Sequence, residues 1–209
     1  MTIDTDDIRK AAEAASAAVA FITAVAGSVA GSAWVQRYKS RRRRATRISK
    51  RIANVTEIYE ALVAVGVNFG CARVVMLVAE NGSNLFPSYG TVVYEVILSQ
   101  ELRPRKHQWQ RTVLDRGYKH KIGAAVNTDR DFEVVRTKLL PKGILKDVYT
   151  ADGIGSSVIV PLLRSHCDDW AVYLSINLFT DNGLTSAQQL ATRTGAARLR
   201  TKLRRHIPE

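Results

Sequence analysis

Apolar and polar residues follow two different periods along this chain, and one stretch near the amino end follows neither. From Ala14 to Gln36 there are 23 consecutive residues without a formal charge. No polar face recurs in them every three or four positions, as an amphipathic helix in water requires. At about 1.5 Å per residue a helix of this length spans roughly 34 Å, enough to cross a bilayer core of about 30 Å. Its larger apolar side chains are Val19, Phe21, Ile22, Val25, Val29, Trp34 and Val35, and the rest is mostly Ala, Gly and Ser. Ser16, Ala20, Ala24, Ser28 and Ser32 stand four apart, and Gly27 and Gly31 form a GxxxG pair. Small residues at this spacing let helix backbones approach closely in lipid, so helix packing through Gly27 and Gly31 and a homo-oligomer through the N-terminal helix are expected. The same spacing suits an Ala-rich helix packed tightly in water, so it does not decide between the two.

Helical periodicity takes over at Ile52, where Ile52, Val55, Ile58, Tyr59, Leu62 and Val65 mark one face of a helix that runs to about Asn68. Beyond Gly70 the period shortens. Cys71–Ala79 and Thr91–Leu98 predict a pair of strands, separated by the turn signal Glu80-Asn81-Gly82-Ser83. Residues 99–143 are the hardest to divide; short helices are expected around Gln108–Leu114 and over Asp129–Leu139, before Pro141 and Gly143. Ile144–Thr150, Ser157–Leu163 and Trp170–Leu178 then predict strands. Thr185 with Gln188 three residues on predicts a capping box opening a final helix, with Leu190, Ala191, Ala197, Leu199 and Leu203 on its packing face. Two helices around several antiparallel strands give an α+β domain.

Charge changes the picture at one place. The chain of 209 residues carries a net +12, and the run Arg37–Arg51 accounts for +9 of it, leaving +3 elsewhere. The cations are Arg37, Lys39, Arg41, Arg42, Arg43, Arg44, Arg47, Lys50 and Arg51, with no acidic residue among them. Upstream of the uncharged stretch, Asp4, Asp6, Asp7 and Glu13 outnumber Arg9 and Lys10. A cytoplasmic flank is the Lys/Arg-rich one, so a spanning helix would leave the amino end outside and residues 37–209 inside. A secretory signal peptide has the opposite order of charge. The expected divisions are a leader and transmembrane helix over 1–36, a basic juxtamembrane segment over 37–51, a main domain over 52–205 and a tail over 206–209. The basic run is expected to contact anionic membrane lipid; the competing assignment is nucleic acid, whose phosphates attract the same cations without a base-reading motif.

The arrangement over residues 52–205 resembles a GAF domain. The resemblance is carried by the leading helix, the strand at 71–79, the hairpin into 91–98, and then SSVIVPLL, DWAVYLSINLF and LTSAQQLATRTGAARLRTKL. It implies a central antiparallel sheet flanked by helices, and a small-molecule-binding, sensory or dimerising module in signalling. The glycine frequent in the late GAF hairpin is absent from RSHCDD, and no cyclic-nucleotide motif is present. Ligand and cofactor therefore stay unassigned.

Candidate chemistry is sparse. Two cysteines, Cys71 and Cys167, are too few for a disulfide scaffold, and Met76 and Cys71 are expected to fill the core. His166, Cys167, Asp168 and Asp169 form the densest polar cluster, best assigned to an exposed hairpin; a zinc site would need a further ligand. Gly153-Ile154-Gly155-Ser156-Ser157 matches neither GxSxG nor a phosphate-binding loop. No catalytic or metal residue is assigned. The expectation is a noncatalytic membrane-tethered binding or assembly module with a cytoplasmic main domain; the alternative is a soluble oligomeric structural protein whose arginine segment binds nucleic acid.

Overall fold

A computed structural model of the chain describes residues 32–33, 35–36, 39–40, 42–80, 89–104, 112–113, 131–165 and 170–207. The chain divides into two compact units, Met1–Ser40 and Arg41–Glu209. In the first, the described residues are helical and exposed. The predicted spanning segment lies almost wholly outside the described residues, as do Gly27, Gly31, Arg37 and Arg41. Among the described residues no helix is long and apolar enough to cross a membrane.

The second unit opens with a helix over residues 42–52, α1. Ala45, Ile48 and Ile52 face the core, while Arg42, Arg43, Arg44, Arg47, Lys50 and Arg51 are all exposed. The described cations from Arg42 to Arg51 thus form the solvent side of an amphipathic helix, and the compact unit begins before Ile52. Helix α1 does not continue into the next helix. Asn54 takes a left-handed φ of 70°, a conformation Asn tolerates better than most residues, and breaks the chain between them.

Helix α2, Thr56–Phe69, buries Ile58, Ala61, Leu62, Val65, Gly66 and Phe69 as one stripe. Tyr59, expected on that stripe, is 45% exposed. Gly70 at φ 66° ends the helix and donates its N–H to Gly66 O and Val67 O. The sheet follows with β1 Arg73–Glu80, β2 Tyr89–Ile97, β3 Thr112–Val113, β4 Glu133–Arg136, β5 Ser156–Arg164 and β6 Trp170–Leu178. Their order is β3-β2-β1-β6-β5-β4, with every pairing antiparallel. Strand β1 is buried along its whole length because it sits inside the sheet with cover on both faces. Last comes α4, Ser186–His206, opened by the predicted capping box: Gln188 N–H donates to Thr185 Oγ1 at 3.2 Å and Thr185 N–H to Gln188 Oε1 at 3.0 Å.

Three sequence expectations are corrected. Ile144–Thr150 is no strand but the start of a helix, α3, Ile144–Ala151, because Leu145 and Tyr149, four apart, are its buried positions. The helix expected over Asp129–Leu139 is absent from its described part, 131–139: β4 pairs with β5 there, followed by a 3-10 turn at Thr137–Leu139. Thr112–Val113, expected to be helical, pairs with β2 at the sheet edge. On α4 the packing face is Thr192, Ala196, Leu199 and Leu203, whereas Leu190 is 66% exposed and Ala197 is exposed.

Alternation along the strands sorts the core into two layers. Val74, Met76, Val78, Val158, Val160, Val172, Leu174 and Ile176 meet α1, α2 and α4. Val75, Leu77, Ala79, Ile159 and Tyr173 meet Leu140 and the Leu145 and Tyr149 of α3. Helices α2 and α4 run antiparallel: Gln188 Nε2 reaches Phe69 O at 3.4 Å at one end, and Glu57 meets His206 at the other. In the middle a Cβ on Gly195 would lie 2.6 Å from Val65 Cγ2, so only glycine permits this approach.

Candidate functional site

On the α3 side of the sheet, polar residues stand where apolar ones would complete the layer. Ser157 of β5, Asn177 of β6 and Arg73 of β1 are register partners across three adjacent strands. One rung away on the same face lie Ser175 of β6 and Glu95 of β2, both paired with Val75. Since residues two apart on a strand share a face, these five side chains form one stripe crossing four strands.

Helix α3 reaches the stripe at two points. Tyr149 Oη lies 3.2 Å from Ser175 Oγ, and Ser157 Oγ lies 2.7 Å from the same atom. Ser175 in turn donates to Asn177 Oδ1 at 3.0 Å. Just past the helix, Asp152 Oδ2 stands 3.1 Å from Arg73 Nη1, whose other carboxylate neighbour is Glu95 Oε1 at 3.5 Å. The three ionic side chains are only 4–6% exposed. A buried guanidinium is tolerable where carboxylates offset its desolvation, and the Asp152 contact also fixes the carboxyl end of α3 on the sheet. Arg73 Nε has no hydrogen-bond partner among the described residues. The left-handed Gly153, φ 65°, turns the chain back into β5 immediately after Asp152.

None of these residues was singled out by the sequence as a site. The signal was present in Ser175 and Asn177, two polar residues at period two inside the apolar strand WAVYLSINL. Arg73 shares β1 with Glu80 at its far end and Glu95 is the one charge of β2, and only the strand order brings Arg73 and Glu95 together.

The sequence-derived candidates fall elsewhere. Arg42, Arg43, Arg44, Arg47, Lys50 and Arg51 line the outer side of α1, and Lys39 is exposed in the other unit. Cys71 is buried, and desolvation pushes its thiol up to about 12, so at neutral pH it is an un-ionised core side chain rather than a nucleophile. Met76 is fully buried. His166, Cys167, Asp168 and Asp169 lie outside the described residues, and among the described residues no three His, Cys, Asp or Glu side chains are grouped to hold a metal ion.

Solved structures share this architecture, among them the following two. A domain of a protein assigned as a two-component sensor histidine kinase, from Sinorhizobium meliloti 1021, superposes with a TM-score of 0.50 at 15% identity, covering 73% of this chain and 92% of that one. The blue-light absorbing form of the PixJ GAF domain from Thermosynechococcus elongatus gives 0.51 at 13% identity, covering 72% and 84%. The fold is GAF-like. No protein-family model and no curated protein matches the chain.

Proposed function

We propose that the chain is a noncatalytic, membrane-tethered GAF-like binding or assembly module, with its main domain in the cytoplasm. The GAF-like fold supports a binding or sensory role, and the observation that carries it is the buried polar stripe on the α3 side of the sheet. Its hydroxyl and amide groups already bond one another, which holds the face rigid and leaves the buried Arg73 Nε as a donor that a small polar ligand would meet. The described stripe offers hydrogen bonding rather than an activated nucleophile, which favours binding over catalysis. A ligand of this face would raise the melting temperature of the wild type but much less that of Ser157→Ala/Asn177→Ala. A ligand that stabilises both equally binds elsewhere.

Tethering rests on the uncharged residues 14–36 and the cations that follow them. Thr2→Cys and Ser186→Cys, each with Cys71 and Cys167 replaced by Ser, test it in intact cells. A membrane-impermeant thiol reagent should label Thr2→Cys and reach Ser186→Cys only after the membrane is opened. Release by carbonate extraction overturns the anchor, and protection of both probes overturns the orientation.

The second reading, nucleic-acid binding, draws on the outer side of α1, where six cations project from a helix pinned by Ala45, Ile48 and Ile52. Titrating Arg41→Gln/Arg42→Gln/Arg43→Gln/Arg44→Gln and the wild type against anionic vesicles and a random duplex, at several salt concentrations, chooses between the partners.

A further inference from the structure

From β4 into the first turn of α3 the chain carries a second basic stretch. Residues 134–146, VVRTKLLPKGILK, contain Arg136, Lys138, Lys142 and Lys146 and no acidic residue. Two dipeptides in it each send one side chain inward and one outward. Leu140 and Leu145 are buried in the layer beneath α3. Their neighbours Leu139 and Ile144 are 70% and 58% exposed, and Pro141 and Lys142 between them are exposed as well.

The outward aliphatics sit on a braced turn. Lys146 Nζ donates to Leu140 O at 2.8 Å and to Lys138 O at 3.4 Å, tying the first turn of α3 back to the 3-10 turn. Leu140 N–H donates to Thr137 O at 3.1 Å. A single exposed leucine is ordinary on a protein surface. Here two aliphatic side chains and a proline project from one short turn among lysines, while the core positions beside them are already filled.

The contrast with α1 identifies the partner. The outward side of α1 is Arg, Lys and Thr, so it offers charge alone. Nucleic acid would pair with the lysines of the 138–146 turn but would gain little from Leu139 and Ile144. An anionic bilayer surface rewards both: aliphatic tips enter the headgroup and acyl boundary while ammonium groups stay at the level of the phosphates. We propose that residues 138–146 form a contact site for an anionic lipid surface, with Leu139, Pro141 and Ile144 entering the interface and Lys138 and Lys142 meeting headgroups. Asp181 pairs with Lys138 and lies 3.7 Å from Arg136 Nε, so binding exchanges part of an internal ion pair for a headgroup contact. This contact does not depend on residues 14–36 crossing a bilayer.

The test uses the full chain with Pro141→Cys carrying an environment-sensitive fluorophore, Cys167 replaced by Ser and the buried Cys71 left in place. On vesicles of phosphatidylcholine with about one-third phosphatidylserine, the probe should shift to the blue and be quenched by lipids brominated in the upper acyl chain. Leu139→Ser/Ile144→Ser should abolish both signals, and Lys138→Gln/Lys142→Gln should weaken the apparent affinity at least about fivefold. The same fluorophore at Ser186→Cys should show neither signal, and anchoring by residues 14–36 alone would leave the position-141 probe unquenched. An unshifted probe at position 141, an equal shift on pure phosphatidylcholine, or a shift produced by a random duplex in place of vesicles overturns the proposal.

Discussion

Tyr94 Oη lies 2.6 Å from the backbone nitrogen of Val55 and accepts its N–H, although the two residues are 39 apart in the chain. The same hydroxyl donates to Ile52 O at 2.6 Å. One phenol from β2 therefore caps the end of α1 and the start of α2, where Val55 supplies no side-chain cap. Burial raises the Tyr94 pKa above its ordinary value, which keeps the proton that Ile52 accepts.

Tyr94→Phe removes this cap without changing the ring. Losing it should cost about 1–3 kcal/mol, read from the urea midpoint at unchanged slope, and should speed hydrogen exchange at the Val55 amide. Unchanged exchange at Val55 would show that the hinge is held by packing alone.

Because Ala45 and Ile48 belong to the main core, a fragment starting at residue 41 should be more stable than one starting at Ile52. Both should fold, with the shorter one weaker by about 2–4 kcal/mol, roughly the burial of one isoleucine and one alanine. Thermal melts of the two fragments, followed by circular dichroism, decide it.

Arg73→Met should cost about 3–5 kcal/mol, because Glu95 and Asp152 stay buried after their shared guanidinium is gone. Arg73→Met/Glu95→Gln/Asp152→Asn should recover part of that loss. If the triple variant is no more stable than the single one, shape rather than charge accounts for the effect.

Glu57 carries a pH dependence of known sign. Its pKa is lowered by the hydrogen bond with His206, at 2.9 Å, then by Lys202 at 3.0 Å and by the field of Arg205. A depressed carboxylate pKa adds stability above the unfolded value, near 4.5, and that stability is lost as pH falls through the lower folded value. Urea unfolding from about pH 3 to 7 should show an acid limb that is shallower in Glu57→Gln. An equally steep limb would assign acid sensitivity to other carboxylates.

Sequence made the local signals legible and left the nonlocal ones hidden. The Thr185–Gln188 box and the β5 and β6 strands could be read because each depends on neighbours within a few positions, and the GAF-like α+β arrangement because the order of such elements along the chain carries it. The basic run reads as helix-compatible, but the packing of α1 on the core was masked by its arginines, since one of its three buried anchors is only an alanine. Helix α3 resembled a strand because Ile144, Val148 and Tyr149 are β-prone, and the four-residue step from Leu145 to Tyr149 was too short a pattern to overrule them. The candidate site was harder still. Its members come from four strands and a helix, so their proximity depends on strand order and register.

Strand β2 skips a register position at Val93: Tyr94 pairs with Met76, whereas Val92 pairs with Leu77. This bulge lets Val93 and Tyr94 both join the layer beneath the helices while Val92 joins the opposite one. Its consequence is a fixed count. Gaining or losing one residue between Val92 and Glu95 would exchange inside for outside, sending the hinge phenol toward α3 or the Glu95 carboxylate away from Arg73 toward the α1, α2 and α4 side. Substitutions in β2 change single contacts, but its length is a phase that sets two distant structures at once, so inherited insertions and deletions should spare these four positions while accumulating in loops.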